Sequence, residues 1–155
     1  MPNIAVLVQS SFTGYCCDED VTEEDKKVAE EIFKAMGAFH EVDEKYMDAI
    51  TGLSGSVPAY IAIIIEALMY AGLKVGLPRD LALYSSIYSV LGAAKLALEL
   101  KKHIASIKDM VITPGGVTIE GIYELEDSRI RTAIMRAVES ATLKCRKISK
   151  MIENS

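Results

Sequence analysis

From residue 43 onward the apolar positions recur every three to four residues, the spacing of helices; before it short unbroken runs flank a single helical stretch. Ile4 to Val8 is a continuous apolar run and predicts a strand buried on both faces. Phe12 to Cys17 predicts a second short strand, and Ala38 to Val42 one more. Between them Thr22 reads as the N-cap of a helix. Glu23, Glu24 and Asp25 stand in its first turn, where the helix dipole favours negative charge. Val28, Ile32, Ala35 and Met36 give that helix one apolar face, and Gly37 is placed to end it. Two or three strands and one helix cannot cover both faces of a sheet, and one edge stays open. Residues 1–42 therefore read as the closing piece of an α/β domain.

The second part predicts helices near 43–52, 57–75, 79–101, 104–109, 117–126 and 128–150, with "LSGSVP" and "KVGLPRD" as turns. The last helix has one clean stripe of Ile130, Ile134, Val138, Ala141, Cys145 and Ile148 and a charged opposite face, so it lies at a surface or rim. The second and third helices differ. Ile61, Ile63, Ile64, Ile65, Ala67, Leu68 and Met69 leave almost no polar face, and Ile87 to Leu98 do nearly the same. A helix apolar all round must be buried all round. One small domain has too little material for two such helices, so an interleaved homodimer is expected, with association of dimers also open. A membrane span is not expected: the run from Tyr60 to Leu73 is 14 residues, carries Glu66 and precedes Lys74, against the roughly 20 apolar residues a span needs.

Composition narrows the classes further. Half of the 155 residues are apolar and a quarter charged, as in a globular chain. A net charge of −5 without a clustered basic face gives no nucleic-acid footprint. Three cysteines, with Cys16 and Cys17 adjacent, make a poor disulfide framework and fit a reducing cytoplasm. Two distant histidines, His40 and His103, make a zinc site improbable and read as surface or interface residues. Met1-Pro2-Asn3 lacks the basic start of a signal peptide.

The segment with chemical promise is the corner Thr113-Pro114-Gly115-Gly116. Pro114 discourages helix at Thr113, and the glycines permit close backbone approach. The helix that follows leaves its first amides unpaired at the positive end of its dipole, a ready place for a small carboxylate. Thr118 stands in the first turn, so its hydroxyl can face the same spot. The spacing fits equally a plain helix–helix turn, for which Pro and Gly are the ordinary residues.

Resemblance adds to this. "ITPGGVTIEGIYELE" resembles the C-terminal signature of pyrroline-5-carboxylate reductase, typically a Ser-Pro-Gly-Gly-Thr-Thr segment. "MDAITGLSGSVPAYIAIIIEAL", "GLKVGLPRDLAL" and "LGAAKLALE" resemble further blocks of that family in order and spacing, and "MPN" with the following elements resembles the end of its Rossmann domain. The resemblance covers nearly the whole chain. It implies a mainly α fold, an intertwined helical dimerisation domain of the 6-phosphogluconate dehydrogenase C-terminal type over 43–155, preceded by a partial Rossmann remnant over 1–42. It implies reduction of 1-pyrroline-5-carboxylate to L-proline, the last step of proline biosynthesis, with NADPH or NADH. Amides around Gly115, Gly116 and Val117 are implied to hold the substrate carboxylate, beside Thr113, and Thr118 to bond the ring nitrogen. Ser54 and Ser56 are implied near substrate, and Asn3 beside the cofactor.

The resemblance has departures. Val57 stands where the family usually has glycine, Ile4-Ala5 where it has Thr-Pro, and Ile104 where it has proline. None of the ten glycines forms the G-x-G-x-x-G that lets a pyrophosphate reach a helix N-terminus. The expectation is a portion of the reductase that binds no cofactor tightly and is inactive by itself. The alternative is a stand-alone, non-catalytic helical dimer that keeps a small-carboxylate pocket.

Overall fold

The computed structural model describes residues 1–154; residue 155 of the expected second domain lies outside them. The chain forms two compact units, Met1–Tyr60 with Ile134–Ser155, and Ile61–Ala133.

In the first unit, strand β1 (Ser11–Tyr15) leads through helix α1 (Glu23–Met36) to strand β2 (Gly37–Glu41). The strands pair in parallel, Ser11 opposite Gly37 and Tyr15 opposite Glu41. Helix α1 starts as its sequence predicts. Thr22 accepts from the Asp25 amide, and Asp25 reaches back to the Thr22 amide, so two orphan donors are satisfied reciprocally. The Thr22 hydroxyl, which donates to Asp25 Oδ2 at 2.6 Å, and then the Thr22 amide hold the Asp25 carboxyl below its ordinary pKa. Gly37 caps the other end, its amide donating to Phe33 O. The Tyr15 ring packs 5.0 Å from Phe33 and 6.4 Å from Phe39, and its hydroxyl donates to Glu30.

The strand expected over Ile4–Val8 is instead a 3₁₀ helix. Asn3 Oδ1 accepts from the Ala5 amide and starts the turn, and left-handed Gln9 ends it. Ile4, Leu7 and Val8 are 67%, 80% and 71% exposed, so the apolar run belongs to a surface turn and not to a buried strand.

The turn expected at "LSGSVP" is also absent. A 3₁₀ turn (Glu44–Tyr46), helix α2 (Met47–Ile50) and a π-helical turn (Thr51–Gly55) lead directly into helix α3 (Val57–Lys74), making one helical run of 31 residues. Helix α7 (Ile130–Glu153) follows later, and its Ile134–Glu153 part packs in this unit. Asp48 Oδ1 accepts from Ser149 Oγ at 2.8 Å and Cys145 Sγ at 3.2 Å, and Tyr60 donates to Ala137 O at 3.4 Å.

In the second unit the rest of α3 meets helix α4 (Arg79–Leu100), followed by α5 (Ile104–Asp109) and α6 (Val117–Asp127). Left-handed Lys101 ends α4, and left-handed Arg129 separates α6 from α7. His103 is more than a surface residue: its Nδ1 accepts from the Ala105 amide and caps α5. The apolar helices find little cover within one chain. Only Met69 of α3, and Ala82 and Ser86 of α4, are buried. A groove lined by Ala93, Leu96, Ile104, Ile107 and Val111 lies open.

Candidate functional site

The corner is built by local chemistry. The Gly116 amide donates to Thr113 O at 3.0 Å, closing a turn with Pro114 and Gly115 at its centre. Gly115 has φ +66°, a left-handed backbone that side chains disfavour. A Cβ at Gly116 would run into Thr113 Oγ1. Helix α6 then begins at Val117 with Gly116 as N-cap, which has no side chain to occupy the first-turn amides. Val117 is 90% exposed and Thr118 half-buried. Glu120 also stands in this first turn.

The structure thus brings Thr113, Gly115, Gly116, Val117 and Thr118 together at one helix start. It gives them unequal parts. Gly116's amide is engaged within the turn, so a carboxylate arriving here meets the free amides of Val117 and Thr118. Gly115 and Gly116 contribute conformation and space.

The other candidates lie in the first unit. Asn3 Nδ2 donates to Ser54 O and to Ser54 Oγ, each at 3.1 Å. The Asn3 amide donates to Ser11 Oγ at 3.0 Å, and Ser54 Oγ donates to Phe12 O at 3.4 Å. Ser56 is half-buried, and its hydroxyl makes no hydrogen bond among the described residues. Ser11 was not foreseen as part of this network; its only sequence signal is a hydroxyl before a strand.

A βαβ unit followed by long, uncovered apolar helices is the arrangement of a mainly α protein with a partial α/β unit at its start, consistent with a helical dimerisation domain preceded by part of a Rossmann fold. The model of the family described as pyrroline-5-carboxylate reductase dimerisation matches residues 44–148, and the chain belongs to that family. A pyrroline-5-carboxylate reductase of Methanosarcina acetivorans is 45% identical over 97% of this chain and 56% of its own length. The solved structure of a pyrroline-5-carboxylate reductase from Coxiella burnetii superimposes with a TM-score of 0.90 at 35% identity, covering 95% of this chain and 55% of that one. The Plasmodium falciparum pyrroline carboxylate reductase, solved with NADP bound, gives 0.89 at 36% identity, covering 95% and 60%. The chain spans about half the length of the curated relatives it matches.

The turn between β1 and α1 does not suit a dinucleotide's phosphates. A dinucleotide-binding fold holds a pyrophosphate on the free amides of its first strand-to-helix turn, whereas the turn between β1 and α1 belongs to the closing unit. It places Glu23, Glu24 and Asp25 in the first turn and commits the Asp25 amide to Thr22. A phosphate there would meet three carboxylates.

Proposed function

We propose that this chain is the substrate-holding and dimer-forming portion of a cytoplasmic oxidoreductase that reduces 1-pyrroline-5-carboxylate to L-proline with NADPH or NADH. The observation that supports it most is the start of α6, where no side chain caps the first-turn amides and Thr118 stands in the first turn after the Gly115-Gly116 corner, in a chain of this family. In this reading the amides of Val117 and Thr118 hold the substrate carboxylate, a charge-assisted pairing at the positive end of the helix. Thr118 Oγ1 bonds the ring nitrogen, the atom that gains a proton when the imine is reduced. Thr113 shapes the corner, and Ser54 and Ser56 flank the substrate. Positioning of this kind is what a protein supplies to reductant chemistry. Residues 1–42 are read as the end of the dinucleotide-binding domain and 43–155 as the dimerisation and substrate domain, forming a homodimer with neither membrane nor nucleic acid as partner.

The test is a titration of the ¹⁵N-labelled chain with L-proline. Shifts centred on Val117 and Thr118 amides are expected; saturating proline without shifts there would sink the reading. The departures at Val57 and Ile4-Ala5 favour a second reading, a non-catalytic dimer that keeps the carboxylate pocket. The isolated chain is accordingly expected to reduce pyrroline-5-carboxylate negligibly with either nucleotide. Measured turnover by the purified chain would overturn that expectation.

A further inference from the structure

Pro58 leaves a defect in the helical run that carries Ser54 and Ser56. In an α-helix the Ser54 carbonyl accepts from the amide four residues on, and residue 58 is a proline with no amide hydrogen. The next amide, Ala59 N, donates to Ser56 O at 3.1 Å. The chain answers with a π-helical turn at Thr51–Gly55, a form concentrated at functional sites. The Ser54 carbonyl instead accepts from Asn3 Nδ2, 51 residues away in sequence, at 3.1 Å. Asn3 is itself fixed at its other polar atoms. Its Oδ1 accepts from the Ala5 amide, and its own amide donates to Ser11. The turn is confined from α7 as well: a Cβ on buried Gly52 would lie 2.7 Å from Thr142 N. It therefore cannot shift toward α7 when Asn3 lets go.

We infer that Asn3 is a positioning residue that stands in for the amide Pro58 lacks, locking Ser54 into the π-helical turn and leaving Ser56 as the hydroxyl free to meet substrate. This rests on the reading of Ser54 and Ser56 as flanking the substrate. Ser54 is thereby an anchor, its hydroxyl engaged by Asn3 and Phe12.

The experiment is a rescue cycle in the full chain. Asn3→Asp keeps the acceptor that caps the 3₁₀ helix and removes the donor to Ser54. Amide hydrogen exchange over Leu53–Ala59 should quicken about tenfold, the effect of one lost hydrogen bond to a carbonyl. Affinity for L-proline should fall by a similar factor. Pro58→Ala returns an amide at the right place, so Asn3→Asp in that background should leave both measurements near their native values. A double variant that folds where Asn3→Asp does not is the same rescue. Unchanged exchange in Asn3→Asp, or no rescue by Pro58→Ala, overturns the inference. Faster exchange with unchanged proline affinity overturns the positioning role and leaves a clip of the fold. If the native chain binds no proline, the functional reading fails separately, while exchange and rescue still decide whether Asn3 replaces the missing amide.

Discussion

At the scale of single residues, the corner before α6 divides its work between backbone and hydroxyl. Gly115 is needed for its φ of +66°, and open space surrounds the place where its Cβ would be. Gly115→Ala is therefore a test of conformation without steric clash, expected to cost about 1–2 kcal/mol and to lower the thermal midpoint accordingly. Thr118→Val keeps shape and removes the hydroxyl. It should leave the melting temperature nearly unchanged while weakening L-proline binding about tenfold, and Thr118→Ser should retain most of the affinity. Equal affinity for the valine and serine variants in calorimetric titration would remove Thr118 from the site. The corner could be foreseen because Pro and Gly have fixed backbone consequences. What could not be foreseen is that the Gly116 amide closes the turn onto Thr113 O. That bond depends on the turn type, which depends on the sign of one dihedral.

At the scale of elements, α2 and α7 are fastened by Asp48, which receives both Ser149 and Cys145. Burial first, and then the bond to Asp48, push the Cys145 thiol above its ordinary pKa. A raised thiol pKa means the folded state favours the protonated form. Its contribution is complete below the ordinary thiol pKa and is lost as pH rises through the raised value. Thermal midpoints should thus be level near neutrality and fall on the alkaline side, a fall that Cys145→Ser reduces. Iodoacetamide should modify exposed Cys16 before Cys145. Asp48→Asn should shorten that delay and cost about 1–2 kcal/mol through weakened bonds to two donors; equal alkylation rates in the native chain would contradict the clamp. The same elements show what pattern reveals. Helix α5 lies where predicted, and Thr22 caps α1, because caps and periodicity are local. Ile4–Val8 misleads because an unbroken apolar run does not report its partner, and the Asn3 side chain bends it into a 3₁₀ turn. "LSGSVP" misleads because Pro58 falls in the first turn of α3, where proline is tolerated, and the Ser54 carbonyl accepts from Asn3 instead.

At the scale of the whole molecule, the governing fact is apolar surface without cover. The helical run through α3 extends over 31 residues and α4 over 22, both apolar and long enough to cross a bilayer, and each is largely uncovered within one chain. The 14-residue run from Tyr60 to Leu73 thus understates the helix that contains it. A partner chain and a lipid phase both satisfy such helices, and the match over 44–148 to a dimerisation domain favours the partner chain. The two readings differ in water. A protein partner gives a defined dimer without detergent, and sedimentation equilibrium at micromolar concentration should return twice the chain mass of 16.9 kDa. Leu91, 44% exposed on α4, would be covered in that dimer from both copies. Losing an apolar side chain's burial costs about 1.5–3 kcal/mol each, so Leu91→Lys should raise the dimer dissociation constant by at least about a hundredfold and expose surface that binds a hydrophobic dye. A native chain that sediments as a monomer in buffer would take the dimer out of the proposal, and one that stays dispersed only in detergent would give the apolar helices to a membrane.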